Sequence, residues 1–250
     1  FRRPPAGKET GMTAIRERPP GSAQGPAHKP APAPAQAPAH ASAQHRTARY
    51  DGLADWYDQY NAETARAGRA PLLDLLGPGT GLCLDLGCGT GQNLATLRAT
   101  GRTVVGLDFS ADQLRLARGR TAPGEALLRS DAATLPFRDR VFDAVAALWL
   151  SSDVDEFGAV VREAARVLRP GGSLHFLEHG VSPDDRVRRW QHRLEPMQKR
   201  VFDGCHLTRP IDELVEQSGL VVEQVERAYA PMPSLMKPWT FGYLGRATKS

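Results

Sequence analysis

From Gly81 onward the chain switches repeatedly between two hydrophobic periods. Short, nearly continuous apolar runs, "LCLDL", "TVVGLD", "VFDAVAALWL" and "SLHFLEH", read as strands buried on both faces. Between them, "NLATLRATG", Ala111 to Gly119, and Asp153 to Leu168 space their apolar residues three and four apart, as a helix does. The last of these is closed by "RPGG", a helix-stop signal. With "EALLRSD" as a further strand, the alternation predicts an α/β fold: a parallel sheet with helices on both faces.

The flanks carry weaker patterns. Leu53, Trp56, Tyr57 and Tyr60 recur at helical spacing, and "APLLDLLG" predicts a second helix before the first strand. After the fifth strand, "DDRVRRWQHRLEPMQKRVF" places Val187, Trp190, Leu194, Met197 and Val201 on one helical face. Pro196 is expected to kink it, and Arg188, Arg189, Arg193 and Lys199 form an outer face that reads as solvated. Residues 180–210 are thus expected to form a small helical cap on the substrate side, inserted after the fifth strand. A helix, "IDELVEQSG", and two strands, "LVVEQVERAY" and "PWTFGYLGRATK", complete the chain.

Composition divides the chain near residue 50. Residues 1–49 hold nine prolines, many alanines and almost no Leu, Ile or Val, so they are expected to form a disordered tail, with residues 50–250 as the folded domain. The tail carries eight Lys or Arg against two Glu, leaving 24 basic and 26 acidic residues in the domain. The sequence pI of about 9.1 therefore reflects the tail, and a nucleic-acid partner is not expected. Cys83, Cys88 and Cys205 form neither a CxxC pair nor an even framework, which suits reduced thiols in a cytoplasm. No apolar run approaches the roughly 20 residues that span a bilayer.

The strongest chemical signal is "LDLGCGTG". Glycines 87, 89 and 91 let the backbone turn sharply from strand to helix and pass close to a ligand, with free N–H groups facing it. The spacing G-x-G-x-G, preceded by Asp85, differs from the G-x-G-x-x-G of dinucleotide sites. Downstream, Asp108 ends the second strand in "VVGLDFS", where a carboxylate can accept from two ribose hydroxyls. "RSDAATLPF" then follows the third strand and "FDAVAALWL" forms the fourth.

These four motifs in order, from about Tyr50 to Gly172, resemble the class I S-adenosylmethionine-dependent methyltransferases, whose fold is a Rossmann-like sheet. The resemblance implies S-adenosylmethionine as cofactor, with S-adenosylhomocysteine as its product. It implies that Gly87, Gly89 and Gly91 approach the methionyl part, Asp108 holds the ribose, Phe109 flanks adenine, Asp131 and Ala132 meet the adenine edge, and Leu148 lines the methyl-transfer face. Asp85 and Asn93 are expected to fix the loop and the amino acid end, and Tyr57 to close the site from an N-terminal helix.

The acceptor's pKa decides what the protein must add. At pH 7 a thiol costs roughly 2 kcal/mol to ionise, a phenol about 4 and an aliphatic alcohol on the order of 12. One imidazole suffices for the first two. No metal is expected: Cys205 and His206 lack a second ligand pair, and His175 and His179 share a strand face without nearby cysteines.

A second resemblance lies in the C-terminal third. "FLEHG", a Trp-bearing helix, "DGCHLTRP" and "PWTFGYLGRA" look like the methyltransferase-like thiol S-methyltransferases. It implies a small-molecule thiol as acceptor, including dithiols of natural-product pathways and secondary metabolism. Animal members carry an apolar anchor where this chain has its Pro/Ala tail, so no membrane anchor is expected. His206 and His179 are the candidate bases, with Asp203 to orient an imidazole. Trp149, Glu178, Cys205 and Arg209 are candidate acceptor contacts, although Arg209 could equally pair with Glu178 or Glu195. Two other readings stay open: an O- or C-methyltransferase on a phenol or quinol, and a cofactor-binding protein without catalysis.

Overall fold

The apolar runs become strands β1 (Leu82–Leu86), β2 (Thr103–Asp108), β3 (Ala126–Arg129), β4 (Phe142–Leu148), β5 (Leu168–His179), β6 (Leu220–Tyr229) and β7 (Phe241–Lys249). The computed structural model describes residues 48, 51–64, 66–152, 154–201 and 206–250; nearly all of the expected tail, together with Asp203 and Cys205, lies outside the described residues. The strands form one sheet in the order β3-β2-β1-β4-β5-β7-β6. β1 to β5 run parallel, while β7 is antiparallel to both β5 and β6. The chain leaves β1 toward β2 on one side and later returns to pair β4 on the other. The crevice at the C-terminal ends of β1 and β4 is therefore a switch point, where open α/β sheets place their ligands.

Alternation along each strand makes two cores. Leu84, Leu86, Val105 and Leu107 face one way, toward α5 (Phe157–Val167) and α7 (Ile211–Glu216). Cys83, Val104, Ala144 and Ala146 face the other way, toward α2 (Arg66–Leu76) and α3 (Leu94–Ala99). α1 (Ala54–Thr64) lies upstream, and α4 (Ala111–Ala117) links β2 to β3. The Rossmann-like sheet with helices on both faces is the architecture that the strand pattern predicts.

The local departures have physical causes. The helix expected from Asp153 starts at Phe157, because the backbone just after β4 is held in a 3-10 turn and loop by buried charges described below. The start of the expected last strand is instead α8 (Lys237–Thr240), where Pro238 sits in the first turn and its missing N–H costs nothing. The helix expected after β5 is α6 (Asp185–Val201), which contains Pro196.

α6 is rotated relative to its apolar pattern. Val187, Gln191, Glu195 and Gln198 are buried, whereas Trp190 and Met197 are half exposed. Gln191 causes this: its Nε2 donates to the carbonyls of Gly180 and Pro238, and its Oε1 accepts from the Ser182 N–H. Turning Trp190 inward would strand three backbone groups, and unpaired buried groups cost more than an exposed ring.

The C-terminus of α5 is closed from a distance. Lys249 Nζ, at the end of β7, donates to the carbonyls of Ala165, Arg166 and Leu168 at 2.7, 3.2 and 2.9 Å. Replacing Lys249 with Met removes these donors and the favourable charge at the helix end. The expected loss is about 1 kcal/mol, read by scanning calorimetry as a Tm lower by roughly 2–4 °C.

Candidate functional site

β1 ends at the glycine turn. Gly87 has φ +74°, a conformation that requires glycine, and a Cβ there would lie 2.8 Å from Leu150 Cδ1 and displace the end of that side chain. The Gly87 and Cys88 N–H groups both donate to the Leu107 carbonyl, tying the turn to β2. Gly91, with φ +80°, also serves packing, since a Cβ there would strike Leu94 and Ala117, and its bareness lets the turn lie against α3 and α4.

Asp108 stands at the end of β2 and fixes the same turn. Its carboxylate accepts from the Gly89 N–H at 2.8 Å through one oxygen and from the Ser110 N–H at 2.8 Å through the other. Burial pushes its pKa up, against the pull of these N–H groups. Asp85, inside β1, is 1% exposed, and neither carboxyl oxygen has a hydrogen-bond partner among the described residues. Burial lifts its pKa to about 7; Asn93 stands near enough to oppose the rise, and the charge of Asp108 adds to it.

Above the strand ends lies a cavity of about 390 Å³, within the range of small-ligand sites. Every cofactor candidate from the sequence lines it except Asp85 and Gly91, and so does Trp149. Asp85 lies below the turn. Arg69, Gln92, Ser110, Gln113, Ser130 and Glu156 also line the cavity, and sequence reasoning missed them. Ser110 was findable: in "SADQ" it is the N-cap of α4, its Oγ accepting from the Gln113 N–H at 3.1 Å.

Tyr57 reaches the cavity because α1 is fastened to the glycine turn. Asp58 accepts from Thr90 Oγ1, Gln92 Nε2 and both terminal nitrogens of Arg120 at 2.5 to 2.9 Å. Burial alone would raise its pKa, yet the bonds from Arg120, Gln92 and Thr90 hold it at about 2. Asp112 adds a second tie, accepting from the Gly52 N–H at 3.0 Å.

The wall after β4 is held by buried charges. Glu178, fully buried, accepts from the N–H groups of Leu150 and Ser151 at 3.0 and 2.9 Å. Arg209, 8% exposed, donates to the carbonyls of Ser151, Val154 and Asp155. Leu150, Val154 and Asp155 line the cavity, whereas Glu178 and Arg209 do not. Both candidate acceptor contacts thus sit behind the wall.

The two imidazoles occupy different places. His179, at the end of β5, lies against Trp149 with ring centroids 4.6 Å apart, and Trp149 itself lines the cavity with φ +60°. Burial lowers the pKa of His179, opposed by the nearby Phe241 carbonyl. His206 Nδ1 lies 3.1 Å from Glu195 Oε1 of α6, and neither imidazole lines the cavity. Burial lowers its pKa too, helped by the charges of Arg209 and Lys199 and opposed by Glu195. Asp203 and Cys205 lie outside the described residues. Among the described residues, no group of three His, Cys, Asp or Glu side chains could hold a metal ion. No helix among them is long and apolar enough to cross a membrane.

The residues present suit a cofactor bearing hydroxyls and a cationic end: bare glycines clear the floor, Asp108 faces the cavity, and the Asp85 carboxyl beneath lacks a partner. Comparison with known proteins agrees. Residues 84–176 match the family described as a methyltransferase domain. A demethylmenaquinone methyltransferase of Mycolicibacterium paratuberculosis is 38% identical over 134 residues, 52% of this chain and 57% of the relative. The human thiol S-methyltransferase TMT1A is 28% identical over 203 residues, 75% of this chain and 80% of the relative. A geranyl diphosphate methyltransferase solved with S-adenosylmethionine shares the fold at TM-score 0.61 and 20% identity, over 74% of this chain and 85% of that one. The chain spans 40 to 61% of the length of the demethylmenaquinone methyltransferases that it matches.

The Asp85 shift has a measurable sign. In the free chain its pKa, raised from 3.8 to about 7, means that the buried carboxyl prefers its proton and subtracts stability as pH rises through that window. A cation bound nearby favours the ionised form and releases the proton. Calorimetric affinity for S-adenosylhomocysteine is therefore expected to rise with pH up to and through about 7 and then level off. Asp85→Asn should flatten that profile.

Proposed function

We propose that the chain, which carries a methyltransferase domain of the class I S-adenosylmethionine-dependent family, methylates the thiol of a small molecule. A dithiol natural product or a xenobiotic thiol is the acceptor class. The carrying observation is a cavity that runs from the glycine turn and Asp108 to Trp149, against whose ring the half-buried imidazole of His179 packs.

When bound, S-adenosylmethionine supplies a methyl group on a sulfonium whose leaving group is a neutral thioether. What the chain must provide reduces to alignment and an unprotonated nucleophile. Gly87, Gly89 and Asn93 would hold the methionyl end, Asp108 the ribose, and Phe109, Asp131 and Ala132 the adenine. Leu148 and Trp149 would border the reacting face.

Neither candidate base lines the cavity, and His179 is the nearer to it, through its contact with Trp149. Its lowered pKa keeps it uncharged at pH 7 and able to take a proton, while making it a weak base. Such a base suits a thiol, whose ionisation costs only about 2 kcal/mol, and is too weak for an alcohol. His206 is the second candidate, paired with Glu195; Asp203 and Cys205 are candidates on sequence alone. The likeness to the human thiol S-methyltransferase supports this acceptor, since it covers three quarters of the chain.

The second reading is O- or C-methylation of a phenol or quinol. It is favoured by the higher identity to the demethylmenaquinone methyltransferases, over about half of the chain. A panel of alkyl and aryl thiols, phenols and quinols with purified protein separates the two. Thiol turnover is expected. His179→Asn should lower kcat at least tenfold while cofactor affinity holds, and the acid limb of wild-type kcat should lie below the ordinary histidine range. Turnover of quinols or phenols without thiols would reverse the assignment.

A further inference from the structure

The methyl-transfer site makes no use of the outer side of α6 or of the segment 232–237. With Gln191 and Glu195 turned inward, residues Arg186, Trp190, Arg193, Met197 and Arg200, three and four apart, form one outward stripe. Trp190 and Met197 are 49% and 50% exposed, Met232 is 53% exposed, and Leu235 is 84% exposed. A groove of about 670 Å³ joins the two elements, lined by Val187, Trp190, Leu194, Leu235, Met236 and Trp239; Arg186 and Lys237 border it, as does Asp184, whose carboxylate is occupied in capping α6 at the Arg186 and Val187 N–H groups.

Charge is segregated on the same side. α6 carries six Arg or Lys against Asp185 and Glu195, and Glu195 is turned inward to the Leu207 N–H, although residues 50–250 together hold 24 basic and 26 acidic groups. The Arg193 guanidinium lies 5.6 Å from the Trp190 ring centroid, so cation and apolar ring are presented together. Neighbouring basic and large apolar side chains on one helix face, beside an exposed apolar loop, match a surface that lies in a membrane interface rather than spanning it.

We propose that this face binds anionic lipid surfaces. Leu235, Met232 and Trp190 enter the headgroup and acyl boundary, while Arg186, Arg189, Arg193, Arg200 and Lys237 meet the lipid phosphates. Charge excludes the other occupants. Residues 1–49 carry a balance of +6, the same sign as this face, and a second copy docked through it would oppose two cationic surfaces. Nucleic acid would satisfy the arginines but would leave Leu235 in water. The docking would bring the domain to the phase in which apolar acceptors concentrate.

Flotation of the full chain with vesicles tests this independently of catalysis. Binding is expected to vesicles of equal parts phosphatidylglycerol and phosphatidylcholine, to be absent on phosphatidylcholine alone, and to weaken as salt is raised to ~0.5 M. The double variant Trp190→Asp, Leu235→Asp is expected to cut binding at least tenfold with the fold retained and Tm lowered by no more than a few degrees, because Leu235 is exposed and Trp190 half exposed. Absent binding overturns the proposal. So does binding that the double variant leaves intact, which would assign it to the basic tail, or a dependence on these residues that appears only with an acidic polypeptide.

Discussion

Two carboxylates, the fully buried Asp85 within β1 and the half-buried Asp108 at the end of β2, lie near the C-terminal edge of the parallel strands, and each is held above the usual carboxylate range chiefly by desolvation. A parallel sheet makes this juxtaposition unavoidable, because it delivers its strand ends to one edge, and the switch between β1 and β4 opens a crevice there. The molecule answers Asp108 with two backbone N–H groups from the turn and the start of α4. It leaves Asp85 unanswered among the described residues. A site so arranged is more comfortable with a hydroxyl-bearing, partly cationic ligand than without one.

The other walls depend on that floor. α1 is brought over the cavity by Asp58, whose partners sit on the glycine turn and just beyond α4. On the opposite side two buried charges bind main chain: Glu178 takes N–H groups and Arg209 takes carbonyls of a single loop. Charges used in this way give the wall a defined shape without themselves lining the cavity, and leave Leu148, Trp149 and Leu150 on its surface.

What the sequence made legible was local. The glycine spacing, Asp108 at a strand end and the alternation of periods each follow from a few consecutive residues, and the sheet with helices on both faces follows from them. Bonds between distant residues were hidden. Arg209 reaches Ser151 across 58 positions and Arg120 reaches Asp58 across 62, and no local pattern announces either. Hence Glu178 and Arg209 looked like acceptor contacts when they brace a wall. The orientation of α6 failed for a related reason: Trp190 and Met197 fit an apolar face, but Gln191 had three backbone groups to satisfy, and polar satisfaction outweighed the burial of a ring.

Asp108 is central because it would serve the turn and the cofactor at once. Isothermal titration of S-adenosylhomocysteine into Asp108→Asn measures this most directly, since the amide keeps one acceptor for the Gly89 N–H while losing charge and replacing the second acceptor with a donor. The expected result is binding weakened at least tenfold, as for the loss of a charged hydrogen bond of about 1.5–3 kcal/mol, with Tm lowered because the amide nitrogen faces the Ser110 N–H. Affinity equal to that of the unaltered chain would contradict it.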